Sequence, residues 1–178
     1  RATMPLRFLV VGAGAIGALL GARLATAGHA VAFVARGAHL AAMRSRGLEL
    51  RSPLNSPAGE NPVLVKAGAG GVEFFGDLEE VEKAGAVFDF VVLAVKDHQI
   101  APVAEAVGRL LGRCGPDAAV VTTQNGVPYW FFQDGYKGAS EFAGRAVEAV
   151  DPGGDVLGAI PSGRVIGMVV YPAGYVAG

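Results

Sequence analysis

The stretch Leu6–Leu24, LRFLVVGAGAIGALLGARL, decides how the rest of the chain is read. An apolar run enters glycines at 12, 14 and 17 and leaves as a second apolar face. Apolar bulk alone would also suit a secretory signal core, with basic residues ahead and Ala25-Thr26-Ala27 behind as a cleavage site. A signal core places no demand on glycine spacing, and here the glycines occupy the positions of G-x-G-x-x-G. Phe8–Val11 is short and rich in β-branched residues, as expected of a strand buried on both faces. Beyond Gly17, Leu20 and Leu24 recur at helical spacing, and Gly28 offers the left-handed conformation that ends a helix. The stretch reads as strand, phosphate-cradling turn and helix.

In such a turn the three glycines have separate duties. Gly12 allows the tight turn, Gly14 lets backbone approach a pyrophosphate, and Gly17 packs helix on strand. The helix N-terminus adds unpaired N–H groups and a partial positive charge. The next strand, AVAFVARGAHL, ends at Arg36, where an NAD enzyme usually carries an acid for the ribose 2′-hydroxyl. No Asp or Glu occurs before Glu49. An arginine there suits a 2′-phosphate, which it grips with paired charge-assisted hydrogen bonds. The expected cofactor is therefore NADP (NADPH) rather than NAD, FAD or S-adenosylmethionine.

Outward from this unit, strand and helix patterns alternate. Strands are expected at about 6–11, 30–35, 88–95, 118–123 and 164–170. Helices are expected at about 15–27, 38–46, 77–84, 98–111 and 139–150. This alternation predicts an α/β fold with a Rossmann-type, doubly wound, mainly parallel sheet. Residues 47–66 carry two short alternating runs around a Pro/Asn/Ser/Gly loop, which predicts a small β-hairpin insertion. Gly68–Gly71 reads as a loop, because no strand feeds it.

Composition narrows the class. The 178 residues are 52% hydrophobic and 17% charged, with a net charge of −1, so no nucleic acid partner is expected. No apolar run crosses a bilayer without charges or clustered glycines, so no membrane span is expected either. Cys114 stands alone, and no Cys/His cluster has metal-binding spacing, which fits a reducing, cytoplasmic compartment. Met4 reads as the natural start, with Arg1–Thr3 a remnant ahead of it.

Two further stretches fall just beyond strand ends, where open α/β sheets bind ligands. In FVVLAVKDHQI, Lys96 ends the strand and Asp97 is placed to cap the next helix. A lysine there can meet an anion or polarise a carbonyl; its plain reading is a solvated helix start. In VVTTQNGVPYWFF, Gln124-Asn125-Gly126 follows another strand, with a simple turn as its plain reading.

Taken together, VVGAGAIG, VARG, LAVKDHQI, TTQNGVP and VIGMVVYPA resemble the ketopantoate reductase (2-dehydropantoate 2-reductase) family, in the right order over nearly the whole chain. The resemblance implies NADPH-dependent reduction of a small 2-keto acid, most simply 2-dehydropantoate to pantoate in pantothenate biosynthesis. It implies that Gly12, Ala13, Gly14, Ala15, Ile16 and Gly17 carry the pyrophosphate and Arg36 the 2′-phosphate. It also implies that Lys96 and Asn125 lie beside the nicotinamide and substrate, and that the backbone of Ala173 meets the cofactor. The family's NADPH-binding domain precedes an all-helical domain that holds its catalytic lysine, and residues 1–178 correspond to the first domain alone. No catalytic residue is assigned here. The bulky Tyr129-Trp130-Phe131-Phe132 departs from the best-known members, and reads either as core or as a reshaped substrate side. Without a second domain the apolar tail IGMVVYPAGYVAG lacks a cover, so self-association, as in a homodimer, is expected. The rival readings are a non-catalytic NADP(H)-sensing module and a related dehydrogenase acting on another keto or hydroxy acid.

Overall fold

The computed structural model describes residues 4–51, 62–133 and 137–176. The opening stretch folds as strand β1 (Arg7–Val11), a turn, and helix α1 (Ala15–Thr26). Strand β2 (Ala30–Val34) and helix α2 (Gly37–Arg46) complete the first βαβα unit. An antiparallel hairpin follows, β3 (Leu48–Leu50) against β4 (Val63–Val65), with Leu48 opposite Val65. The loop expected between them lies outside the described residues. Next come β5 (Glu73–Phe75), α3 (Leu78–Lys83), β6 (Phe90–Leu93), α4 (Ala101–Arg113) and β7 (Ala119–Thr122). The short α5 (Asp155–Ala159) and β8 (Val165–Gly167) end the regular structure.

The main sheet has the order β5-β2-β1-β6-β7-β8, and every pairing in it is parallel. By position in the chain that is 3-2-1-4-5-6, the doubly wound dinucleotide-binding order. The winding reverses between β1 and β6, and ligands bind at such a reversal, beyond the carboxyl ends of the strands.

Both faces of the sheet are covered, and the two-residue strand period divides the core. Leu9, Val11, Ala32, Val34, Val91 and Leu93 face α3, α4 and α5. Phe8, Val10, Val31, Phe33 and Val92 face α1, α2 and the hairpin. Helix α4 turns Val103, Val107, Leu110 and Leu111 inward, a stripe at helical spacing. Its Gly108 sits where a Cβ would run into the backbone of Ala159, so α4 and α5 pack closely.

Three expectations need correction, and one strand was not expected. The helix expected at 139–150 is replaced by turns, with one 3-10 turn at Ser140–Phe142. Gly144 breaks it at φ +78°, its N–H bonded to Phe132 O at 2.7 Å. The regular helix falls later, at α5. The last strand covers only 165–167, not 164–170, although Met168 N–H still reaches Thr122 O at 2.9 Å. Strand β5 had no expectation at all, because three residues are too few to show alternation. It is defined by pairing with β2, and Ala35 N–H extends the ladder to Phe75 O at 3.0 Å. Finally, Asp97 does not cap the helix beyond β6. Helix α4 has no side-chain cap; a 3-10 turn over Asp97–Gln99 leads into it, closed by Gln99 Oε1 accepting from Lys96 N–H at 3.0 Å.

No helix among the described residues is long and apolar enough to cross a membrane.

Candidate functional site

The carboxyl ends of β1, β2, β6 and β7 open into one cleft of about 1270 Å³, at the reversal of the sheet. Gly12 leaves β1 at φ +97°, and its N–H and that of Ala13 both donate to Val34 O at 3.1 Å. That pair of bonds pins the turn to the tip of β2. A Cβ on Gly12 would meet Val95 Cγ1 at 2.8 Å, and one on Gly17 would collide with Gly12 O. A Cβ on Gly14 would meet nothing within 4 Å, since its side opens to the cleft. The three glycines are thus physically distinct: Gly12 bends, Gly17 packs, and Gly14 leaves room.

Helix α1 begins at this turn with no acidic residue in its first turn and no side chain capping it. Its leading N–H groups, orphaned by helix geometry, remain available to an anion. Ala13, Ala15 and Ile16 line the cleft beside Gly12 and Gly14, whereas Gly17 is buried beneath it.

Arg36 stands at the N-cap of α2, exposed, and its guanidinium has no hydrogen bond or ion pair among the described residues. Lys96 is likewise exposed on the cleft wall, with no ion pair for its ammonium among those residues. Two cations therefore flank the turn. Asp77 also reaches the cleft, but one of its oxygens caps α3 by accepting Glu80 N–H at 2.8 Å.

The β7 side is built differently. Thr123 Oγ1 donates to Leu93 O at 2.9 Å, and Gln124 Nε2 donates to Leu93 O and Val95 O at 2.8 and 2.6 Å. These bonds stitch the tip of β7 to the tip of β6. Gln124 Oε1 is buried without a partner among the described residues. Asn125 lines the cleft, yet its amide is engaged: Nδ2 donates to Val170 O at 2.8 Å and Oδ1 accepts Val170 N–H at 3.0 Å. Asn125 thus acts as a surrogate strand residue that draws the tail beyond β8 alongside the cleft. In that tail Gly174 and Val176 line the cleft, and Ala173 beside them does not. A Cβ on Gly174 would lie 3.1 Å from that of Ala15, so the tail passes over the start of α1.

Two of these features had no sequence signal of their own. His39 Nε2 lies 2.8 Å from Ala13 O, a contact between α2 and the glycine turn that no local pattern announces. Asp77 follows the unexpected β5. The aromatic run 129–132 lies away from the cleft. Tyr129 is buried, its hydroxyl donating to Ile160 O at 3.1 Å, and Trp130 packs against the core. Burial, reinforced by the negative charge of Asp151, pushes the Tyr129 phenol well above its ordinary range. It is a core group, not an acid for chemistry. The described residues contain no cluster of three or more His, Cys, Asp or Glu fit to hold a metal.

Residues 8–129 match the family profile of the ketopantoate reductases PanE/ApbA. The chain belongs to the ketopantoate reductase family. Members of this family are NADPH-dependent oxidoreductases. The chain is 42% identical over 169 residues to a 2-dehydropantoate 2-reductase from Mesorhizobium japonicum, covering 94% of this chain and 45% of that protein. A crystal structure of a candidate ketopantoate reductase from Ralstonia solanacearum MolK2 superposes with a TM-score of 0.75 and 36% identity. It covers 97% of this chain, which spans 47% of that one. A PanE/ApbA family ketopantoate reductase from Ralstonia eutropha JMP134 is similar over 68% of this chain, with 29% identity and a TM-score of 0.53. The chain thus spans about half the length of the Mesorhizobium and Ralstonia solanacearum relatives.

Proposed function

We propose that this chain binds NADPH and serves an oxidoreductase that reduces a small 2-keto acid, 2-dehydropantoate, to the 2-hydroxy acid pantoate. The observation that carries the reading is the glycine turn. Its one open Cβ position, Gly14, faces a cleft at an uncapped helix N-terminus, with Arg36, unpaired among the described residues, at the tip of the adjacent strand. This is the donor set that a dinucleotide with a 2′-phosphate requires. NADPH, when bound, supplies a hydride for the ketone carbon.

In this reading Gly12 to Gly17 cradle the pyrophosphate, and the guanidinium of Arg36 pairs with the 2′-phosphate. Lys96 places a positive charge on the nicotinamide side, while Asn125 keeps the tail, whose Gly174 and Val176 line the cleft, beside the cofactor. A 2-keto acid also needs a cation for its carboxylate and a proton donor for the developing alkoxide. Lys96 can meet one of those needs. The remaining groups belong, on the family resemblance, to the family's helical domain. The single cysteine suits a cytoplasmic setting, and the exposed Val169, Tyr171 and Tyr175 suit a homodimer.

Calorimetric titration tests the cofactor. NADPH should bind at least about tenfold more tightly than NADH, about 1.4 kcal/mol, and Arg36→Ala should abolish most of that preference. Equal affinities in the wild type would remove the 2′-phosphate role. NADPH oxidation with 2-dehydropantoate against a panel of other 2-keto acids, in the full-length protein, tests the substrate.

A further inference from the structure

His39 has no assigned role, yet it makes the contact that joins helix α2 to the glycine turn. The ring is half-buried in the first turn of α2, and Nε2 lies 2.8 Å from the carbonyl oxygen of Ala13. A carbonyl oxygen only accepts, so Nε2 carries the hydrogen and donates it. The Ala13–Gly14 peptide is planar and trans, so its C=O and N–H point in opposite directions. Whatever holds Ala13 O toward α2 therefore aims the Gly14 N–H away from α2. That N–H has no backbone acceptor among the described residues, and it belongs to the residue whose side opens to the cleft.

Other bonds leave this peptide free to turn. Val34 O holds the N–H groups of Gly12 and Ala13, which belong to the two preceding peptides. Gly14 itself has no side chain to restrict it. His39 is thus the one described side chain that bonds to the plane of the 13–14 peptide.

We propose that His39 is a positioning residue for the phosphate turn: its Nε2–H fixes the Ala13–Gly14 peptide so that the Gly14 N–H is presented to the pyrophosphate of the nucleotide. The inference rests on the NADPH reading above, and it concerns the pyrophosphate rather than the 2′-phosphate. The side-chain amide of glutamine can place its nitrogen where imidazole has Nε2. Asparagine places its nitrogen nearer the position of Nδ1, too short to reach Ala13 O.

The test is titration of the wild type, H39Q and H39N with NADPH, NADH and adenosine 2′-monophosphate. In H39N, NADPH and NADH should both bind about tenfold more weakly, about 1.4 kcal/mol each, with their ratio unchanged. In H39Q both should stay within about threefold of wild type, about 0.65 kcal/mol. Adenosine 2′-monophosphate, which lacks a pyrophosphate, should bind all three proteins alike. If H39N binds as the wild type does, or H39Q is as weak as H39N, the inference is overturned. A change in the NADPH/NADH ratio would move His39 to the 2′-phosphate and overturn it too. A wild type that binds neither dinucleotide removes the underlying reading as well, whereas a failure confined to the variants removes the inference alone.

Discussion

From β1 to the end of α4, strands and helices follow one another, and apolar side chains at regular spacing hold each layer to the next. From Thr123 onward the chain also closes one edge of the same sheet, but the described residues there form only a five-residue α-helix and a three-residue strand beside short 3-10 turns. That second region is held largely by side chains bonded to backbone. Asp151 is buried, and its two oxygens accept the N–H groups of Val156 and Leu157 at 2.9 Å each. Arg164 donates to the carbonyls of Leu111, Gly115 and Ala118, serving as a cap for the end of α4. Asn125 and Gln124 do similar work at the cleft. The contrast shows two ways to satisfy buried backbone polarity: repeating ladders, or individually placed polar side chains.

The two regions should therefore fail differently. The largest effect is expected at Asp151. Asp151→Ala leaves two N–H groups at the start of α5 without partners and should cost about 3 kcal/mol of stability, read as a lower melting temperature. A loss below about 1 kcal/mol would mean that the irregular region does not depend on its polar clamps. In the regular region the comparable change should spare folding and remove function. Gly14 has φ −69° and ψ −170°, which any residue adopts, and no neighbour for a Cβ. Gly14→Val should weaken NADPH binding by about a hundredfold, about 2.7 kcal/mol, with melting unchanged. Unaltered binding would place the phosphates elsewhere.

Asn125→Ala tests the tail. It removes both bonds to Val170, and amide exchange at Val170 should accelerate by about tenfold, about 1.4 kcal/mol of local stability. Exchange unchanged from wild type would show that the tail needs no clamp. The smallest effect belongs to Tyr129, and it depends on pH. Its phenol is raised in the folded state, so the unfolded chain ionises first, near pH 10. Its contribution is full below that pH and is lost as pH rises above it, toward the folded value. Tyr129→Phe should be about 1 kcal/mol less stable at pH 8, through loss of the bond to Ile160 O. Above pH 10 the gap should close, and melting curves across pH 8–11 would follow it. A constant gap would mean that the phenol ionises as freely when folded as when unfolded.

The same contrast governs what could be read in advance. The glycine turn, α1, β2 and Arg36 were legible because their signals are local: a two-residue period, a helical stripe, glycines at set spacing. The strands around β6 and β7 and the stripe of α4 were legible for the same reason. Strand β5 was not, since three residues carry no period and only pairing with β2 makes them a strand. The helix expected at 139–150 failed because local preference met Gly144 at positive φ and a segment that turns only Val147 fully inward. In the site, Lys96 and Asn125 could be placed at strand tips, but not the reciprocal bonds that commit the Asn125 amide to Val170. Nor could His39 be linked to Ala13, 26 residues earlier in the chain.

By itself, then, the sequence determined the βα alternation, the strand-to-helix turn with its three unequal glycines, and the arginine at the tip of the second strand. These depend on backbone conformations and spacings within a few residues. Tertiary structure alone decided strand β5, the clamped edge beyond β7, and the direction of the Ala13–Gly14 peptide. Each of those rests on hydrogen bonds between segments distant in the chain, whose partners exist only once the sheet has brought them together.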